Sequence, residues 1–174
     1  MSSRRNVIVG GTTSLGALII GSLLEGCGTM TSNQLELDAE AAANAVDTMA
    51  VTLEGVIPAS NTALLQKVET AAKIAGQDAT SLSGLAKPAN TAALIDGIVN
   101  AIVTYDEIIP MFFPASAPII LVLNAALIVG KGMYAEAGLP TPAAARMKTP
   151  AVAMPVSTAR AVLSKVHARG NDHR

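Results

Sequence analysis

The sequence holds a single cysteine, Cys27, no tryptophan, and only four aromatic rings (two Tyr, two Phe) in 174 residues. One cysteine excludes a disulfide framework within the chain. One thiol and two histidines, His167 and His173, are too few soft ligands for a zinc site. The shortage of rings argues against the stacking platforms that bind sugars or single-stranded nucleic acid. Charge is scarce as well, at 14% of residues against roughly 25% in an ordinary soluble domain. What the chain has in quantity is apolar residues, 51%. Many are alanine, which favours helix and buries little area per residue. A disordered chain has the opposite balance, poor in apolar residues and rich in charge. The composition points to an all-helical or membrane-associated protein.

Net charge is −1, so the whole-chain value implies no particular partner. Its distribution says more. From Gly28 to Pro140, eleven acidic residues face four basic ones, whereas from Thr141 onward six basic residues accompany only Asp172. An acidic body therefore carries a basic tail.

The first 27 residues form a graded pattern. Arg4 and Arg5 precede an uncharged run, Val7 to Leu24, followed by Glu25-Gly26-Cys27. A charged start, an apolar stretch and small residues at its end describe an export signal. The Ser3-Arg4-Arg5-x-Val7-Ile8 sequence resembles twin-arginine export signals, whose apolar cores are mild. Here eight of the 18 residues in that core are Gly, Ser or Thr. Leu24-Glu25-Gly26-Cys27 resembles a bacterial lipobox, departing from it at Glu25, where a small or apolar residue is usual. The resemblance implies that residues 1–26 are a signal peptide, that Cys27 becomes the lipidated first residue, and that the mature protein lies in the cell envelope facing the periplasm. It covers nothing beyond residue 27. Two other readings use the same residues. Val7–Leu24 is just long enough for an uncleaved anchor. Val7-Ile8-Val9-Gly10-Gly11 looks like a strand entering a glycine turn, but the glycines at 10, 11 and 16 miss the dinucleotide fingerprint.

Residues 28–174 resemble no family and are read from their pattern. Leu35, Ala42, Val46, Met49, Leu53 and Val56 make a helical stripe stopped by Pro58. A second helix starts at Ser60 or Asn61, both good N-caps, and presents Leu64, Leu65, Val68, Ala71, Ala72 and Ala75; Gly76 is its expected stop. A third, from about Asn90 to Ile109, presents Leu94, Ile95, Ile98, Val99, Ala101, Ile102 and Tyr105. The turn Pro110-Met111-Phe112-Phe113-Pro114 either plugs the end of a bundle or dips into a bilayer. A fourth helix, with Ser116 as cap and Pro118 in its first turn, runs to about Ala137 and ends at Gly138.

That fourth helix lacks a polar face. Between Ile119 and Val129 only Asn124 is polar. A helix apolar all round is buried all round or faces lipid. Three arrangements would satisfy it: a membrane span near 111–130, an interface in a homo-oligomer, or an outer face made of Ala125 and Ala126. Spanning would put Arg4, Arg5 and the basic tail on one side and the acidic body on the other, as the positive-inside rule requires. Pro114, Pro118 and Asn124 count against it. Beyond Leu139, Pro140, Pro142, Pro150 and Pro155 read as an extended linker, followed by a short basic helix from Ser157 to about Arg169.

The expected architecture is thus all-α: a signal helix over 1–26, a small antiparallel bundle of about four helices over 27–139, and a Pro-rich, largely unstructured tail over 140–174. No nucleophile sits with a base. His167 and His173 lie in the tail, and the one adjacent acidic pair, Asp106-Glu107, points in two directions on a helix. The expectation is a non-enzymatic protein without cofactor or metal. Its leading description is a membrane-anchored envelope lipoprotein with a structural or accessory tethering role, bound to lipid through Cys27. Phe112, Phe113, Arg160, Lys165 and Arg169 are the expected membrane or partner contacts, with anionic lipid or an acidic partner at the basic residues and no nucleic acid. The alternatives are a small integral membrane protein with spans near 7–24 and 111–130, resembling holins in its short spans and basic tail, and a helical carrier of an apolar ligand.

Overall fold

A computed structural model of the chain describes residues 32–83, 89–114, 117–140 and 153–171. Residues 1–26, expected from the sequence to be an export signal, Cys27 and part of the Pro-rich linker lie outside them. Among the described residues there are five helices and no strand: α1 Ser32–Glu54, α2 Thr62–Leu82, α3 Thr91–Phe112, α4 Ala117–Glu136 and α5 Val156–Asn171. The all-α class read from the sequence is the observed one.

Alanine explains the arrangement of α1. Besides the expected stripe, Ala39, Ala43, Ala45 and Ala50 are buried. Small side chains on several faces let backbones approach from several sides, and α1 touches each of the other four helices. The others fan around it in chain order. α2 packs on α3, α3 on α4 and α4 on α5, while α2 and α5 do not meet. Neighbours run antiparallel: Lys67 of α2 pairs with Glu107 of α3 at 3.2 Å, and Val99 and Ile102 of α3 face Gly130 of α4. Val56, expected on the stripe, is exposed because α1 ends at Glu54, and Ile57 takes the buried place.

Two helices outrun their expected ends. α2 passes Gly76 and continues to Leu82. Ala75, Ala79 and Leu82 keep the buried period across it, and a glycine inside a helix costs only about 1 kcal/mol. Asn61 caps the start, accepting from the Leu64 amide at 3.3 Å. α3 carries Pro110 in its last turn and closes at Phe112, with the Phe113 amide donating to Ile109 at 2.8 Å. α4 ends as expected at Gly138, whose φ of +69° suits a residue without a Cβ. The Leu139 amide reaches back to Tyr134 and the Gly138 amide to Ala135, at 2.8 and 3.0 Å, which satisfies two carbonyls of the last turn.

The second half of the apolar helix α4 is buried by its neighbours, while Leu121 in the first half stays exposed. The helix packs against α1, α3 and α5, and Leu123, Asn124, Ala125, Ala126, Leu127 and Val129 are all buried. Its stretch Pro118–Glu136 is also long and apolar enough to cross a membrane, with mean hydropathy 1.6, and half of it is buried here. The helix that covers it, α5, belongs to the same compact unit, so the bundle extends beyond residue 139. The tail helix is held by burial of Ala159 and Leu163. A helix of this length is marginal when isolated and needs such packing.

One buried hydrogen bond ties α3 to α2. The Tyr105 hydroxyl donates to the Val68 carbonyl at 2.9 Å, and burial pushes its pKa far above the ordinary phenol value. Tyr105→Phe is expected to lower stability by about 1 kcal/mol, read as a shift in the urea midpoint with unchanged slope.

Candidate functional site

The most unusual chemistry lies where α1, α4 and α5 meet. Asp38 sits on the inner face of α1, three residues after buried Leu35 and four before buried Ala42. That periodicity turns its carboxylate inward, and only 2% of the side chain is exposed. Glu136 follows buried Met133 by three residues on the last turn of α4, and its side chain is 3% exposed. Arg160 stands beside buried Ala159 and three residues before buried Leu163 on α5.

The guanidinium forks onto Asp38. Nε donates to Oδ1 at 2.9 Å and to Oδ2 at 3.1 Å, and Nη2 donates to Oδ2 at 2.7 Å. Nη2 also pairs with Oε1 of Glu136. Gln34 adds a donor to Asp38 Oδ1 at 2.9 Å. A planar fork against a carboxylate is the strong form of ion pairing, and it holds the Arg160 pKa above its ordinary value, the Asp38 hydrogen bonds first among the causes. Oε2 of Glu136 is buried without a hydrogen-bond partner among the described residues. Burial, then the neighbouring Asp38 charge, pushes the Glu136 carboxyl up to about 7, against the opposing pull of Arg160. The junction can take up and release a proton near neutrality.

Two shallower features lie elsewhere. A groove of about 440 Å³ between α2 and α3 is lined by Thr70, Ile74, Gly97 and Asn100, among others. At its floor the chain needs glycine: a Cβ on Gly97 would fall 1.7 Å from Oδ2 of Asp78, whose pKa burial raises. A second groove, about 360 Å³, runs beside the charged junction between Leu37 and Ala41 of α1 and Ser164 of α5. No three His, Cys, Asp or Glu side chains gather to hold a metal among the described residues.

The expected contact residues are dispersed. Phe112 and Phe113 pack half-buried against the core at the α3–α4 turn, while the neighbouring Met111 is 68% exposed. Arg160 lies by the other end of α4, a full helix length of about 30 Å away, and its charge is engaged by Asp38 and Glu136. Lys165 is exposed on α5. Arg169 falls on α5 with its side chain outside what is described, and Arg4, Arg5 and Cys27 lie outside the described residues. Sequence reading passed over Asp38 and Glu136. The position of Asp38 on the apolar stripe was the available signal; Glu136 carried none, since its burial comes from α5.

No family model, curated protein or solved structure matches this chain.

Proposed function

We propose that the protein is a non-enzymatic envelope lipoprotein with a tethering role, anchored through lipid on Cys27 and carrying a helical bundle at the membrane surface on the periplasmic side. The observation that carries this reading is the order of features at the N-terminus. Arg4-Arg5 and an uncharged run lead to Cys27, and only four residues separate that cysteine from the start of α1. A lipid there would leave the bundle close to the membrane on a short lead. The packing of α4 against three helices favours tethering over a span at 111–130, because spanning would strip α4 of those neighbours.

Intact mass of the protein from the membrane fraction tests the proposal. The expected result is loss of residues 1–26 and a mass gain on Cys27, with Cys27→Ser released to the soluble fraction. A full-length mass, or a Cys27→Ser chain that stays in the membrane through alkaline extraction, sinks it and favours residues 7–24 or α4 as a span.

A further inference from the structure

We propose that the Asp38–Glu136–Arg160 junction is a proton-operated latch that holds α5 closed over α1 and α4. The argument starts from counting charge in a place with little water. Two carboxylates and one guanidinium meet there, and both carboxylate side chains are at least 97% covered. With Glu136 protonated the three groups are neutral together. With Glu136 ionised, one negative charge remains uncompensated where solvation is poor, a costly state. The proton has a place to go. Oε2 of Glu136 is buried and has no donor among the described residues, and the protonated carboxyl can donate to the adjacent Asp38 carboxylate. That hydrogen bond exists only while the proton is present.

The charged groups acting on Glu136 come from two of the three helices packed against α4. Asp38 faces it from α1 and Arg160 from α5. From α3, the nearest acid that meets α4 is Asp96, and it accepts the Tyr134 hydroxyl instead. On α4 itself Lys131 lies more than one turn back. Among the described residues no second cation reaches Glu136 to cancel its charge.

The strain of ionisation falls on α5 for a topological reason. α1 touches four helices and α4 three, whereas α5 touches only those two. Its buried apolar hold is Ala159 and Leu163, and the connection from α4 is long and rich in proline. Moving α5 outward brings water to Glu136 without disturbing the α1–α2–α3 packing. The same movement uncovers the apolar seats of Ala159 and Leu163 on α1 and α4.

The direction of the pH effect follows from linkage. In the closed form Glu136 titrates at about 7, and its ordinary value is 4.5. Between those values the closed form keeps a proton that the open form has lost. Closure is therefore fully favoured at pH 4.5 and below, weakens as pH rises to about 7, and is constant above that. The latch does not depend on lipid at Cys27, so failure of either proposal leaves the other standing.

Amide hydrogen exchange on the full chain in detergent, corrected for the intrinsic pH dependence of exchange, tests the latch. Opening of residues 157–166 is expected to rise by up to about tenfold per pH unit between pH 5 and 7 and then level off, while α2 and α3 stay protected. Glu136→Gln, which keeps an oxygen for Arg160 but carries no titratable proton, is expected to give a flat profile. An α5 profile flat in the unsubstituted chain, or equally steep in Glu136→Gln, overturns the proposal. A carbon-detected NMR titration of the unsubstituted chain decides the matter if that variant does not fold. A Glu136 midpoint near 7 supports the latch, and one near the ordinary glutamate value overturns it.

Discussion

Arg160→Ala is expected to destabilise the bundle by about 3 kcal/mol at pH 8, because it leaves two buried acids with no cation. Asp38 would lose the three hydrogen bonds that Arg160 donates to it, and only Gln34 would remain as donor. Equilibrium urea unfolding measures the loss. Two features separate a charge effect from lost packing of the long side chain. The penalty should shrink on going to pH 5, where protonation of Glu136 removes one of the two stranded charges; lost packing would not respond to pH. Arg160→Lys should recover only part of the stability, since an ammonium cannot make the planar fork. If Arg160→Ala costs less than about 0.5 kcal/mol at both pH values, the pair behaves like a solvated surface bridge and the junction is not a structural element.

Ile102→Ala is expected to cost about 3–4 kcal/mol in the same measurement. Ile102 is fully buried at the centre of α3, and its Cδ1 lies 3.5 Å from where a Cβ on Gly130 would sit. Truncation removes aliphatic volume from the buried contact between α3 and α4. Gly130→Ala in the intact core meets Val99 Cγ2 at 3.2 Å, which is tight. In the Ile102→Ala background the added methyl fills part of the vacated space, and Val99 gains room to shift away from it. The double variant should therefore be more stable than the sum of the single effects implies, by about 0.5 kcal/mol or more. Strict additivity would show that the two sites do not share the space.

Where the chain is helical was largely legible, and the clearest case is α3. Every residue assigned to its apolar face, from Leu94 to Tyr105, is buried. Strong apolar residues at helical spacing leave one face to bury, whatever it packs against. The end of α2 was less legible because Gly76 is an exposed position of the helix where a glycine costs only about 1 kcal/mol, so the apolar period carries the helix through. The candidate site was nearly invisible. Arg160 looked like a free basic residue on a tail helix, and Glu136 like one of many surface acids. Neither is distinguished until α5 is placed against α1 and α4.

The sequence alone determined the all-helical class, the faces of the strongly amphipathic helices, the stop at Gly138 and the separation of acidic body from basic tail. These follow from short-range physics: periodicity, caps and backbone freedom. It also holds Arg4, Arg5 and Cys27 in the order on which the proposed anchoring rests. Tertiary structure decided which helix is central, which half of the nearly all-apolar α4 is covered, and which charges are paired. Those are properties of neighbours distant in the chain. Alanines on α1 permit contact on many sides without saying with whom. The Glu136 carboxyl leaves its ordinary range only because helices more than a hundred residues apart in sequence, α1 and α5, meet around it at Asp38 and Arg160.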